Sequence, residues 1–139
     1  MDDVFAHNIK EREDVCALLH LNEASILHNV ICRYDATRIY TWISRILIAV
    51  NPFEQLPELY TPEVRKEYAE RDPRNAPPHL YATGEAAYRG MMHGKRNQSI
   101  VVSGESGAGK TVANRCATSL PLPPRLFPRG WQPRGHAGT

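Results

Sequence analysis

The chain has little cysteine and no long hydrophobic run. Its 139 residues include three cysteines, Cys16, Cys32 and Cys116, an odd number without C-x-x-C spacing. This pattern favours reduced thiols in the cytoplasm over a disulfide framework. No apolar run approaches the roughly 18 residues of a membrane helix, and the acidic start Met1-Asp2-Asp3 is unlike a signal peptide. Neither a secreted disulfide-rich protein nor a membrane-spanning one is expected.

A strong charge of one sign is also lacking. The 17 basic and 15 acidic residues give a net charge of +2, and residues 116–139 hold three of the arginines and no acid. Without that segment, 14 basic residues stand against 15 acidic ones. The body of the chain is therefore about neutral, and no basic surface for nucleic acid is predicted.

One segment joins a short apolar run to a glycine-rich loop. Ile100, Val101 and Val102 precede residues 104–111, which satisfy the pattern G-x-x-x-x-G-K-[ST]. Glycines let backbone N–H groups approach a phosphate, the lysine reaches the β- and γ-phosphates, and the following hydroxyl ligates Mg²⁺. The pattern predicts a phosphate loop between a buried strand, 99–103, and a helix that begins at Lys110. The predicted contact residues are Gly104, Glu105, Ser106, Gly107, Ala108, Gly109, Lys110 and Thr111, with Thr111 as the metal ligand.

The other periodic segments predict an α/β fold. A hairpin is expected from the strand-like runs 39–43 and 46–50, and helices are expected after Asp14 and over 22–34, 64–71 and 79–92. Asn22 and Thr61 are the predicted caps, because their side chains accept hydrogen bonds from a first helical turn. The apolar spacing predicts two buried faces, one of Ile26, Leu27, Val30 and Ile31 and one of Leu80, Gly84, Ala87 and Met91.

Two further features have more than one interpretation. His28 and Cys32 lie four residues apart, as metal ligands can, but two side chains do not make a zinc site, so ordinary packing or exposure is preferred. The segment 120–135 holds five of the eleven prolines and has no periodicity. It is either a proline-rich ligand for an aromatic groove or a segment never selected to fold, such as an out-of-frame or intron-derived end.

The non-glycine positions of the phosphate loop are distinctive. With Arg96-Asn97-Gln98-Ser99 before it, the loop resembles the phosphate loop of the myosin motor head in all eight residues. Residues 27–29, 33–35, 39–41 and 45–53 resemble the approach to the myosin purine-binding loop, and 78–82 with 87–89 resemble its next helix. The match covers roughly residues 14–115 and identifies the chain as an N-terminal piece of a myosin motor.

The resemblance implies a P-loop NTPase-like fold with an incomplete myosin-head sheet and flanking helices. Residues 1–116 would form the ATP-binding part of the motor domain, and 117–139 a disordered Pro/Arg-rich tail foreign to the family. ATP and Mg²⁺ are the implied ligands, and actin is the partner of an intact family member in the cytoplasmic cytoskeleton. Asn51, Pro52 and Tyr60 correspond to the purine-loop residues. Tyr60 would bear on the base, or would only anchor its loop.

Two segments with which myosins hydrolyse ATP do not follow Thr111 in these 139 residues: the N-x-x-S-S-R-type switch I and the D-x-x-G-type switch II. Phosphoryl transfer depends on positioning the attacking water and the metal, so no catalytic residue is assigned and no hydrolysis is expected of this chain. The alternatives are a module that binds nucleotide without turnover and a truncated product without independent function. Unpaired strand edges would favour self-association.

Overall fold

A computed structural model describes residues 10–119, which form four α-helices and one β-hairpin. Short 3₁₀ turns lie at Val15–Ala17, Pro57–Tyr60 and Pro73–Asn75. None of the helices in these residues has the length and hydropathy that crossing a membrane requires. The helices are α1 (Glu23–Asp35), α2 (Pro62–Glu70), α3 (Leu80–Gly94) and α4 (Lys110–Thr118), and the strands are β1 (Tyr40–Ile43) and β2 (Ile46–Ala49).

The predicted hairpin is present. β1 and β2 pair antiparallel, with Tyr40 opposite Ala49 and Ile43 opposite Ile46. The turn residue Ser44 has φ 54°, a conformation in which glycine is the usual residue. Asp14 compensates, because its carboxylate accepts hydrogen bonds from the backbone N–H of Ser44 at 3.1 Å and of Cys16 at 2.9 Å. The segment before the first 3₁₀ turn therefore fixes the geometry of the hairpin.

Local capping predictions agree with the structure. Asn22 caps α1 by accepting from the backbone N–H of Ser25 at 2.9 Å, and Thr61 caps α2 by accepting from Val64 at 3.3 Å. The helix predicted after Asp14 is wrong, since the chain makes only the 3₁₀ turn Val15–Ala17 there. Leu19 and Leu21, assigned to its apolar face, are 66% and 58% exposed.

The core lies between the hairpin, α2, α3 and α4. Its buried members are Ile39, Tyr40, Tyr68, Ala76, Leu80, Tyr81, Ala82 and Cys116. Arg89 links α3 to α2, because its guanidinium donates to Glu85 at 2.6 Å and to the carbonyl of Ala69 at 2.8 Å. The predicted apolar face of α3 is buried at Leu80 and Gly84, whereas Met91 near the helix end is 38% exposed.

The predicted buried face of α1 is wrong. Leu27 and Ile31 are 59% and 49% exposed, and the buried residues are Ser25, Asn29 and Arg33. Asn29 and Arg33 can be buried because long-range partners satisfy their polar atoms. Asn29 exchanges hydrogen bonds with the backbone of Arg12, at 2.7 and 3.0 Å, and Arg33 binds β1.

Arg33 connects α1 to β1 with a buried guanidinium. It donates to the carbonyl of Tyr40 at 2.9 and 3.2 Å and to the hydroxyl of Thr41 at 3.1 Å. We expect Arg33→Met to lower the free energy of unfolding by about 3 kcal/mol, because these buried acceptors would lose a charged donor. Urea denaturation followed by circular dichroism measures this change.

Arg38→Met is the matched control for that prediction. Arg38 forms an ion pair with Glu11 at 2.6 Å, but its side chain is 51% exposed. Exposed pairs contribute little, so a change within about 0.5 kcal/mol is expected. Equal losses in the two variants would contradict the role given to Arg33.

The strand predicted at 99–103 is not formed within the described residues. This segment has no regular secondary structure and pairs with neither β1 nor β2, which form a two-stranded sheet alone. Val101 is 88% exposed and Ile100 38% exposed, so the expected burial is also wrong. A strand requires a hydrogen-bonding neighbour, and residues 10–119 supply none at this position. The proline-rich tail from residue 120 lies outside the described residues, and α4 extends to Thr118, past the proposed boundary at 116.

Candidate nucleotide-binding site

The phosphate loop, residues 104–111, has a backbone that requires glycine. Gly109 adopts φ 88° immediately before α4, a left-handed conformation that branched residues avoid. Gly104 is constrained by space, since a Cβ there would lie 3.0 Å from the Cβ of Ala108. The loop closes on itself through a hydrogen bond from the N–H of Ala108 to the carbonyl of Glu105 at 3.1 Å. The sequence pattern thus corresponds to a defined loop conformation.

The first turn of α4 directs unpaired donors toward the loop. The first intrahelical bond runs from Ala113 N–H to the carbonyl of Gly109, and the helix has no side-chain cap. The N–H groups of Lys110, Thr111 and Val112 therefore have no acceptor within the helix. Together with the helix dipole, they make this end of α4 attractive to an anion.

Lys110 folds back over the phosphate loop. Its ammonium group donates to the carbonyls of Gly104 and Glu105, both at 2.7 Å. An ammonium group has three N–H donors, so one remains for a ligand. The lysine consequently holds the loop in shape and keeps a positive charge at its centre.

Asn51 joins the segment after β2 to the phosphate loop. Its side-chain N–H donates to the carbonyl of Gly107 at 2.7 Å, and its oxygen accepts from the N–H of Phe53 at 3.0 Å. Pro52 is held from the other side, because its carbonyl accepts from the hydroxyl of Tyr34 at 3.4 Å. Two predicted site segments, 56 positions apart, are therefore in direct contact.

A cleft of about 660 Å³ opens beside this contact. Cavities of this size bind small molecules and cofactors in many proteins. Asn51, Pro52, Tyr60, Ala108 and Gly109 belong to its lining. The remaining six predicted residues, Gly104, Glu105, Ser106, Gly107, Lys110 and Thr111, are not part of that lining and form the loop at its edge. The structure brings the predicted purine-loop and phosphate-loop residues to one place.

Comparison with known proteins gives the family. The family model described as myosin head (motor domain) matches residues 12–119. The chain belongs to the myosin head family. Human unconventional myosin-VI is 50% identical over 102 residues, which are 73% of this chain and 8% of that protein.

Other myosins match to a similar degree. Myosin-52 of Schizosaccharomyces pombe is 47% identical over 105 residues, 76% of this chain and 7% of that protein. Myosin-H heavy chain of Dictyostelium discoideum is 46% identical over 103 residues, 74% of this chain and 6% of that protein. The chain thus spans less than a tenth of the length of these relatives.

Tyr60 of this myosin segment has its hydroxyl engaged inside the protein. The hydroxyl lies 2.6 Å from that of Tyr40, and the Tyr60 carbonyl accepts from the hydroxyl of Tyr81 at 3.3 Å. Burial raises the pKa of Tyr60 above its ordinary value. These contacts describe a loop anchor, while the ring still lines the cleft.

A buried histidine next to Tyr60 was not predicted as a site residue. His79 is 3% exposed and lies among four tyrosine rings. The distances from its ring centroid to theirs are 4.7 to 5.8 Å, for Tyr40, Tyr60, Tyr68 and Tyr81. Its Nδ1 accepts from the N–H of Tyr81 at 3.0 Å, so the neutral ring carries its proton on Nε2. Burial lowers the pKa of His79 to about 4, and the nearby Leu59 carbonyl opposes part of that shift. No local pattern signals this cluster, because its tyrosines come from separate elements.

His28 and Cys32 lie on one face of α1. The Cys32 sulfur is 3.7 Å from the nearer ring nitrogen of His28. No group of three or more side chains able to hold a metal ion occurs in the part of the chain that the structure describes. The two side chains therefore contact each other along α1.

Proposed function

We propose that this chain binds the phosphates of ATP with Mg²⁺ at residues 104–111 and is the nucleotide-binding part of an actin-based myosin motor. The proposal is carried by one observation: three features that favour an anion lie within the same eight residues. They are the left-handed Gly109, the first turn of α4 with its unpaired N–H groups, and the Lys110 ammonium. An anion placed there meets backbone donors, a helix dipole and a cation together.

Each residue of the proposed site has a distinct role. The N–H groups of the phosphate loop and of the first turn of α4 bind phosphate oxygens, and the third N–H of Lys110 donates to the outer phosphates. Thr111 is exposed at the second position of α4, where its hydroxyl is available to the metal. When bound, Mg²⁺ neutralises phosphate charge.

The base is proposed to lie in the cleft. Asn51 and Pro52 form the edge of the cleft. Asn51 is held there by its hydrogen bond to Gly107, and Pro52 by its hydrogen bond from Tyr34. The Tyr60 ring contributes a wall, whereas its hydroxyl stays with Tyr40. Movement along actin and a location in the cytoplasmic cytoskeleton are proposed from membership of the myosin family. The competing function, retention of nucleotide without turnover, uses the same residues.

Titration calorimetry with Mg–ATP tests the proposal. We expect saturable binding by the 139-residue chain that weakens at least about tenfold in Lys110→Ala, since a charge-assisted hydrogen bond is lost. Removal of Mg²⁺ with a chelator should also weaken binding.

Lys66→Ala is the matched control for that experiment. Lys66 lies on α2, where its ammonium is 3.9 Å from Glu70 and its side chain is 76% exposed. Binding within twofold of the parent is expected. The assignment is wrong if both lysine variants bind ATP as the parent does, or if both lose binding equally.

A further inference from the structure

Tyr60, which contributes a wall of the proposed base site, is held by a buried tyrosine. The hydroxyl of Tyr40, in β1, lies 2.6 Å from the hydroxyl of Tyr60. We propose that Tyr40 is a positioning residue for the nucleotide base and acts through Tyr60 without touching the ligand. This inference rests on the proposed function, because it concerns how the same site is held in shape.

Tyr40 and Tyr60 differ in their access to a ligand. Tyr40 is 5% exposed and belongs to the core, so it offers a bound molecule almost no surface. Tyr60 is half-buried and lines the cleft. The contact between the two hydroxyls therefore joins a residue fixed in the core to one that a base can reach.

The local structure around Tyr60 does not fix its position. Tyr60 ends the 3₁₀ turn Pro57–Tyr60, which has only four residues and no side-chain cap. Hydrogen bonds in 3₁₀ turns have poorer geometry than those in α-helices, so a turn this short has little stability of its own. Contacts with other elements must therefore place the ring.

Those contacts hold both the backbone and the side chain of Tyr60. Its carbonyl accepts a hydrogen bond from the hydroxyl of Tyr81 at 3.3 Å. Its ring centroid lies 6.4 Å from that of Tyr81, with the planes at 86°, and 5.8 Å from that of His79. Tyr40 adds the contact at the far end of the side chain, where rotation about the side-chain bonds would displace the atoms most.

The pair of hydroxyls resists separation. Burial is the main cause that raises the pKa of both Tyr40 and Tyr60, so both groups keep their protons and each can donate as well as accept. A buried hydroxyl without a partner is disfavoured, so ring orientations that separate the two oxygens are rare. The wall of the base site is thus formed before nucleotide binds, which raises the affinity for any ligand that uses it.

Titration calorimetry with Mg–ATP and with Mg–tripolyphosphate tests the proposal, because tripolyphosphate carries three linked phosphates without a base. Tyr40→Phe removes only the hydroxyl and should weaken ATP binding at least about fivefold, the change expected from one lost hydrogen bond. Its binding of tripolyphosphate should stay within twofold of the parent. General damage to the fold would lower both affinities together.

A double-mutant cycle shows whether Tyr40 acts through Tyr60. Tyr60→Phe should also weaken ATP binding. Adding Tyr40→Phe to that variant should cause little further loss, since the contact between the hydroxyls is already broken. Fully additive losses would contradict the proposal.

Tyr68→Phe is the matched control. The Tyr68 ring lies 4.9 Å from that of His79, in the same aromatic cluster, but its hydroxyl donates to the carbonyl of Pro77 at 3.4 Å and it is not part of the cleft lining. ATP binding within twofold of the parent is expected. Unchanged ATP binding in Tyr40→Phe, equal losses of ATP and tripolyphosphate in that variant, or an equal loss of ATP binding in Tyr68→Phe would overturn the proposal.

The same measurements separate this proposal from the proposed function. Lys110→Ala should weaken the binding of tripolyphosphate as well as that of ATP. If it weakens neither, the nucleotide assignment fails. If it weakens both while Tyr40→Phe binds ATP as the parent does, only the positioning role fails.

Discussion

Replacing Gly109 by valine should greatly weaken the binding of Mg–ATP. Gly109 has φ 88° at the entrance to α4, and a Cβ there would lie 4.0 Å from the side-chain carbon of Asn51. A branched residue in that conformation is strained by about 1–3 kcal/mol, and relief of the strain would turn the first N–H groups of α4 away from the ligand. An affinity loss of roughly 100-fold is expected from this distortion.

Equilibrium dialysis with labelled ATP measures this loss. Gly94→Val is the control, because Gly94 ends α3, has an ordinary φ and would place a Cβ in open space, with no neighbouring atom within 4 Å. That variant should bind ATP as the parent does. Retention of affinity in Gly109→Val, with unchanged circular dichroism, would contradict the geometry proposed for the site.

The second large effect is a loss of stability in mild acid that depends on His79. The pKa of His79 is about 4 in the folded chain, against 6.5 for an ordinary histidine. Because the folded-state pKa is lowered, the unfolded chain binds the proton first as pH falls below 6.5. The stability that the neutral ring contributes is complete above pH 6.5 and should fall by about 2 kcal/mol at pH 5 and roughly 3 kcal/mol at pH 4.

Urea unfolding at a series of pH values measures this dependence. His79→Asn removes the titrating ring but keeps an acceptor for the N–H of Tyr81, so its stability should be lower overall and flatter between pH 6.5 and 5. His93→Gln, at an exposed position of α3, should keep the slope of the parent. The hydrogen-bonded carboxylate of Asp72, with a pKa of about 2, loses its charge only at lower pH. A parent curve that is flat from pH 6.5 to 5 would show that His79 is not a buried neutral ring.

Features determined by neighbouring residues were predicted from the sequence, and features determined by distant ones were not. The caps at Asn22 and Thr61 depend on hydrogen bonds between residues three positions apart. The conformation of the phosphate loop depends on glycines within the loop itself. The prediction of a strand at 99–103 was wrong because strand pairing needs a distant neighbour, which the described residues do not provide.

The errors in α1 have the same origin. Hydrophobic periodicity predicts the face of Leu27 and Ile31 to be buried, yet the bonds from Arg33 to β1 and from Asn29 to Arg12 turn the polar face inward. Periodicity contains no information about such partners. The family resemblance implied that Asn51 and the phosphate loop belong to one site, but the hydrogen bond from Asn51 to Gly107 was not predicted.

The most direct test of the central claim is to observe which backbone amides respond to Mg–ATP. In ¹⁵N-labelled chain, we predict that the largest shifts occur at the amides of residues 105–112 and at the side-chain amide of Asn51. Lys110→Ala should reduce these shifts at the same ATP concentration. Saturable ATP binding with shifts confined to residues outside the phosphate loop and its Asn51 contact would contradict the account.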